Sequence, residues 1–259
     1  LSGPFPPYDS KMSVAIISDL HIHGQNSPGQ RALESFFSHP LVVSADEIVF
    51  LGDVFDLMVG NYIEFLEEQS FFFRQVHQSL QNGKVIKYIE GNHDFHLGEL
   101  FESEFGSYSN FSYHQSALML YESGKAIYLC HGDDIEIDNK SYMSYRAIIR
   151  SKGVQLLAES KVIAYNFVKS IGESASAKSR ARNKEKYGDT KTQNWIKERF
   201  RSHALRVLRE VGADSIICGH SHVMDQVDFD QGSYTNNGFP SLSGHFVLIE
   251  SGQPSLIKL

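Results

Sequence analysis

Five apolar stretches of this chain, each about the length of a buried strand, run directly into a cluster of Asp, His or Asn. That arrangement restricts the fold more than any other feature of the sequence. SVAIISD (Ser13 to Asp19) and EIVFLGD (Glu47 to Asp53) read as buried strands, with a helix between them near Gln30 to Ser38. An amphipathic helix follows over about Tyr62 to Gln81, stopped by Asn82 and Gly83, and KVIKYIEGN supplies the third strand. Strands alternating with helices predict βαβ units and a layered α/β fold. The later runs SALMLY, AIYLCHG, SIICGHSH and GHFVLIES predict strands of a second sheet, with ESGK as a hairpin turn. Between them, about Ser141 to Val211 is helical in pattern, with breaks near Gly153, Gly172 and Tyr187 to Asp189.

Length and charge bound what such a fold can be. A chain of 259 residues, 41% hydrophobic, can bury one substantial core, and residues 1–259 are expected to form one domain with a helical insertion at about 140–212. Cys130 and Cys218 match no CxxC spacing and are expected to be buried and inert, which fits a reducing cytosol. No run reaches the length of a membrane-spanning helix, and the opening LSGPFPPYDS lacks the regions of a signal peptide. Lys140 to Gly212 carries 17 Lys and Arg against 6 Asp and Glu, a balance of +11, so the remainder of a chain of net charge -7 stands at -18. The acidic part can supply carboxylates to a cation. The basic part can face phosphate, phospholipid or nucleic acid, or it is simply a solvated helical face.

The polar blocks are SDLHIHG with Asp19 and His21, GDVFD with Asp53 and Asp56, GNHD with Asn92, His93 and Asp94, CHGD with His131 and Asp133, and GHSH with His220 and His222. All stand at the C-terminal ends of predicted strands, where open α/β sheets present their binding crevice. Asp, Asn and His together offer oxygen and imidazole donors that suit Mn, Fe, Zn or Mg. In an extended D-x-H or H-x-H, residues i and i+2 point the same way and can grip one cation. The remaining histidines, His39, His77, His114, His203 and His245, lie away from these blocks and are expected to be surface or structural. His23 and His96 sit close enough to be supporting or phosphate-side groups.

These five blocks, in this order, resemble the signature of the calcineurin-like metallophosphoesterases: D-x-H, G-D, G-N-H-D/E, H-G and G-H-x-H. The resemblance spans Asp19 to His222. It implies an α/β layered sandwich of two mixed β-sheets flanked by helices, with a helical cap insertion. It also implies two divalent metal ions, Mn2+ first and Fe, Zn or Mg as alternatives. Asp19, His21 and His222 would hold one metal, Asn92, His131 and His220 the other, and Asp53 would bridge them, the two-metal arrangement of phosphoryl hydrolysis. His93 would meet the phosphate or protonate the leaving oxygen, and Asp94 would orient His93 or cap the turn.

A wider resemblance, carried by LGDVFDLMVG, GNHDFHLG, CHGDDIEIDNKSYMSYRAIIRS and SASAKSRARN, is to the UDP-2,3-diacylglucosamine pyrophosphatases of lipid A biosynthesis. It implies hydrolysis of a nucleotide-sugar lipid to UMP and 2,3-diacylglucosamine 1-phosphate, in the cytoplasm and peripherally on the inner membrane. Val154, Leu157, Val162, Ile163, Tyr165, Val168 and Ile171 would line an apolar groove in the cap. Arg146, Arg150, Lys178, Arg180 and Arg182 would meet phosphates or an anionic bilayer. The chain departs from that branch at His93, where its members carry arginine, a permanent cation that cannot act as a general acid. Another nucleotide, pyrophosphate or phosphodiester substrate therefore stands as the alternative, and a non-catalytic interaction scaffold as a more distant one. Nucleic acid is not expected, because the basic segment lacks interleaved stacking aromatics.

Overall fold

In the computed structural model, residues 12–133, 135, 140–159, 165 and 189–259 are described. The strands are β1 (Ser13–Ile17), β2 (Glu47–Phe50), β3 (Met58–Val59), β4 (Val85–Ile89), β5 (Asp94–Phe95), β6 (Phe111–His114), β7 (Leu118–Glu122), β8 (Lys125–Leu129), β9 (Ser215–Cys218), β10 (Asp225–Phe229), β11 (Gly232–Asn236), β12 (His245–Glu250) and β13 (Gln253–Lys258). The helices are α1 (Pro28–Ser38), α2 (Pro40–Ser44), α3 (Glu64–Glu68), α4 (Ser70–Gln81), α5 (Gly98–Phe105), α6 (Lys140–Ile149), α7 (Lys152–Glu159), α8 (Thr190–Val211) and α9 (Pro240–Ser243).

Two mixed sheets carry the architecture. The first runs β13-β12-β1-β2-β4-β6, with β1, β2, β4 and β6 parallel and β12 and β13 antiparallel at one side. The second runs β10-β11-β9-β8-β7, parallel at its centre and antiparallel at both edges. Side-chain alternation assigns each strand's two faces to different cores. Val14, Ile16, Val49 and Leu51 of the first sheet meet Leu120, Ile127, Leu129 and Ile217 of the second. Their neighbours Ala15, Ile17, Ile48 and Phe50 turn outward onto α1, α4 and α5 through Leu33, Phe36, Phe72, Val76 and Phe101. On the far side, Phe200, Ala204, Val207 and Leu208 of α8 cover Ile216 and Tyr234. The order of layers is helix, sheet, sheet, helix, as the layered-sandwich expectation has it.

Three sequence expectations are corrected. GHFVLIES, expected in the second sheet, is β12 and pairs antiparallel with β1 of the first, Ala15 opposite Leu248. The long helix over Tyr62 to Gln81 is two helices separated at Gln69, whose φ of -107° and ψ of 26° leave the helical region. The break near Gly153 falls earlier, between Ile149 and Lys152. The ESGK turn stands: Ser123 and Gly124 both adopt positive φ, 48° and 74°, the requirement of a tight two-residue hairpin.

A small third sheet, β3 paired parallel with β5, follows the GDVFD and GNHD blocks. It seats α6 and α7, since Val59 and Phe95 bury against Ile149 and Ala158. Gly60 (φ 74°) closes β3, and a methyl group added there would lie 2.5 Å from the carbonyl oxygen of Ala158, so α7 approaches the sheet as closely as backbone permits. Val162, Ile163, Val168, Ile171, Lys178, Arg180 and Arg182 lie outside the described residues, as do Gly172 and the side chain of Leu157. Tyr165, expected in an apolar groove, packs on Tyr62 and Phe65 with ring centroids 5.8 and 5.2 Å away.

Candidate metal centre

The polar blocks at Asp19, Asp53 and His220 leave their strands through a sharply turned backbone. Asp19, His21, Asp53, His220 and His222 all adopt positive φ, between 47° and 65°, and make up five of the nine non-glycine residues among those described that do so. Such conformations cost energy for L-residues and persist only where surrounding structure holds them. Here the hold comes from hydrogen bonds and close packing. Both carboxylate oxygens of Asp19 accept the backbone N–H of His220 at 3.0 Å, and Oδ2 also takes the hydroxyl of Ser18, which is bonded to Asn237 as well. Gly91 and Gly219 let the loops close, because an added methyl group would fall 2.1 Å from Asp53 Oδ1 and 2.0 Å from Asp19 Oδ2.

The donors converge in two groups that share one carboxylate. His222 Nε2 lies 3.2 Å from Asp19 Oδ1 and 3.1 Å from His21 Nε2, and His21 Nε2 lies 3.6 Å from Asp53 Oδ2. Asp19, His21, Asp53 and His222 thus bring one ligand atom each within 4.8 Å of one another. On the other side, His131 Nε2 is 3.5 Å from the same Asp53 Oδ2 and 3.1 Å from Asn92 Oδ1, which is 3.0 Å from His220 Nδ1. Asp53 Oδ1 is anchored by the N–H groups of Asn92 and His93, at 2.8 and 2.9 Å, leaving Oδ2 between the two groups. All seven residues named as metal ligands therefore meet in one cleft. Their mixture of two carboxylates, one amide oxygen and four imidazoles fits divalent ions of the Mn, Fe and Zn type.

Electrostatics and tautomers agree with that fit. Burial opposes ionisation of Asp53, but the imidazoles of His131, His93 and His21 outweigh it and hold the carboxyl well below the usual carboxylate range. Burial likewise disfavours a charged His131, yet Asp53 and Asp19 overcome it and raise the group to about 9. His131 Nδ1 is 2.7 Å from the Leu51 carbonyl oxygen. A carbonyl only accepts, so Nδ1 carries the proton and Nε2 faces the cleft as a donor to metal.

His93 and Asp94 occupy different surroundings. His93 Nδ1 lies 2.8 Å from the Asp56 carbonyl oxygen, and burial lowers its pKa to about 4. The Asp94 carboxylate is directed elsewhere: it accepts backbone N–H groups of Asp53, Gly91, Val54 and Phe55 and the hydroxyl of Tyr88. Of the two roles expected for Asp94, its contacts are those of the turn cap. Asp56, in the GDVFD block but given no role from sequence, puts its Oδ1 3.6 Å from His21 Nδ1 and joins His21 and His93 in a second group of possible ligands. The signal was present, since a second carboxylate three residues after Asp53 had no other evident use. Phe239 was missed altogether; it stacks on His222 at 5.2 Å and 18°.

The expected phosphate cations divide. Lys178 and Arg182 fall outside the described residues. Arg146 Nε and Arg150 Nη2 both bond Asp133 Oδ2, at 2.7 and 3.3 Å, so in this structure their guanidiniums face a carboxylate of the CHGD block. His23 has a 3.3 Å contact with the carbonyl of His21, while His96 is buried and bonds the Ile149 carbonyl of α6 at 2.7 Å. Cys130 and Cys218 are buried free thiols.

The profile of the calcineurin-like phosphoesterase family matches residues 12–224. The UDP-2,3-diacylglucosamine hydrolase of Haemophilus influenzae is 30% identical over 210 residues, covering 80% of this chain and 81% of that one. The enzyme of the same name from Pasteurella multocida is 29% identical, covering 80% of each. Among solved structures, an archaeal phosphodiesterase aligns over 96% of this chain and all of its own, at 14% identity and a TM-score of 0.48. This chain belongs to the calcineurin-like phosphoesterase family, hydrolases of phosphoester and pyrophosphate bonds.

Proposed function

We propose that the protein hydrolyses the pyrophosphate of UDP-2,3-diacylglucosamine to UMP and 2,3-diacylglucosamine 1-phosphate at a pair of divalent ions, Mn2+ first among the candidates. The observation that carries the two-metal reading is the position of Asp53 Oδ2, 3.6 Å from His21 Nε2 and 3.5 Å from His131 Nε2. Asp19, His21 and His222 would complete one site, and Asn92, His131 and His220 the other. Bound there, two cations would supply Lewis-acid stabilisation of the phosphoryl oxygens and a lowered pKa for the attacking water.

The protein's own groups do the rest. Asn92 contributes an oxygen without charge, which limits repulsion of an anionic substrate. His93, with Nδ1–H fixed on the Asp56 carbonyl, offers Nε2 to the substrate side. The pyrophosphate of an acylated nucleotide sugar is the substrate best supported by the names of relatives sharing about 30% identity over four fifths of the chain. The basic character of Lys140 to Gly212, Lys178 and Arg182 included, suits a phosphate-bearing lipid and an anionic membrane surface at the cytoplasmic face. No helix among the described residues is long and apolar enough to cross a membrane.

A second reading is favoured by His93, which stands where the lipid A branch has arginine: hydrolysis of another nucleotide, pyrophosphate or phosphodiester. Product analysis separates the two. Manganese-loaded protein should release UMP from UDP-2,3-diacylglucosamine much faster than from UDP-N-acetylglucosamine, and chelation should stop both. Equal rates, or no UMP, would remove the lipid reading and leave the phosphoesterase assignment in place.

A further inference from the structure

We infer that Asp133 is a positioning residue that latches helix α6 to the metal-bearing loops, and so sets how the cap stands beside the cleft. Asp133 is 1% exposed and lies two residues after His131. Arg146 on α6 and Arg150 immediately after its last residue, one helical turn apart, reach the same oxygen of its carboxylate. Arg150 makes a further tie, donating through Nη1 to the Gln115 carbonyl at 2.7 Å, in the connection between β6 and β7. At its C-terminal end α6 is held again, by His96 Nε2 on the Ile149 carbonyl, and His96 stands four residues after Asn92. One helix is therefore tied to both loops that carry Asn92 and His131, donors of the same metal group, while Ile149 and Ala158 seat it and α7 on β3 and β5.

The chemistry of the tie is what makes it a latch and not a surface ion pair. A carboxylate this buried cannot lose both cations without a large penalty, so α6 is kept where its arginines reach Asp133. The two contacts bear on cap placement and leave the ligand atoms themselves untouched, because His131 is oriented through Leu51 and Asn92 lies against His131 and His220. The consequence for specificity rests on the reading of the cap as the part that meets the acyl portion of the substrate.

The test compares Asp133→Asn, Arg150→Gln and the double variant, each loaded with Mn2+. Amide hydrogen exchange in residues 140–149 should accelerate about tenfold or more in each single variant, with manganese content unchanged. Turnover of bis(4-nitrophenyl) phosphate, too small to need the cap, should stay within about twofold, while KM for UDP-2,3-diacylglucosamine rises about tenfold. The double variant should fall short of the sum of the two, since Asp133→Asn already breaks the Arg150–Asp133 contact and Arg150→Gln then removes only the Gln115 contact as well. Arg146→Lys, which keeps a cation opposite Asp133, should raise KM less than Asp133→Asn does. If Asp133→Asn does not fold, Arg150→Gln carries the same measurements with Asp133 still paired to Arg146. Unchanged exchange in α6 would overturn the latch, as would loss of manganese and small-diester turnover together. Should the wild-type protein leave the acylated substrate intact, the lipid reading fails, and the exchange and small-diester measurements still decide the latch.

Discussion

Asp94 holds Asp53 in place without touching the cleft itself: its Oδ1 accepts the Asp53 N–H at 2.9 Å and its Oδ2 the Val54 N–H at 2.7 Å. The residue expected to bridge two metals is thus presented by a turn whose amides are tied to a carboxylate from the neighbouring block. Gly91 N–H, the Tyr88 hydroxyl and Phe55 N–H complete the set at 2.8, 2.6 and 3.3 Å, all of it buried.

That relationship predicts a structural phenotype for Asp94. Asp94→Ala strands several buried N–H groups, each costing about 1–3 kcal/mol when left without a partner. Denaturant melts should show a loss of at least about 2 kcal/mol, accompanied by weaker metal retention. A side chain that acted only by orienting His93 would lower turnover at unchanged stability, and that result would count against the turn-cap role.

Substituting Asp53→Ala removes a donor from both groups at once. Metal analysis should find fewer than two divalent ions per chain, and hydrolysis of bis(4-nitrophenyl) phosphate should be abolished. Circular dichroism should remain that of the folded protein, because Asp53 sits at a loop and not in a core. Full activity with two ions retained would refute the shared-carboxylate arrangement.

Much of this was legible in the sequence because it is local. The strand at SVAIISD and its Asp19, or SIICGHSH and its His220 and His222, need only an apolar run followed by polar donors at fixed spacing. What stayed hidden depends on partners distant in the chain. GHFVLIES carries no mark of its sheet, since either sheet would bury its alternating side chains; only its pairing with β1 decides. Asp94 looks like an orienter of its neighbour His93 until the amides of Asp53, Val54 and Phe55 are brought to it. Arg146 and Arg150 look like phosphate cations, because the sequence does not reveal that Asp133 is buried against them.

His93 is predicted to act on the substrate without holding metal. His93→Ala should reduce kcat by about 10²–10⁴-fold, the range of acid–base groups, with metal content unchanged. Loss of an ion would make it a ligand, a result that the grouping of His21, Asp56 and His93 keeps in view. His93→Arg replaces a half-buried imidazole with a permanent cation. Recovery of turnover on UDP-2,3-diacylglucosamine in this variant, but not on a neutral-leaving-group diester, would point to charge as the property needed there.

Metal uptake should be coupled to proton release. In protein stripped of divalent ions by chelation, Asp53 and Asp19 overcome the effect of burial and hold His131 at about 9. A group whose pKa stands at about 9 keeps its proton throughout the neutral range, and with Nδ1–H bonded to Leu51 the added proton sits on Nε2, the atom a cation must use. Binding at pH 7.5 therefore displaces about one proton per chain from His131. Burial lowers His93 to about 4, so it is already neutral at that pH and adds none. The apparent affinity for Mn2+ should rise by up to about tenfold per pH unit below 9 and level off above it. Titration calorimetry in two buffers of different ionisation enthalpy reads the released proton directly. Heats that do not depend on the buffer would mean that His131 is neutral before the metal arrives, and that the carboxylates do not govern its charge.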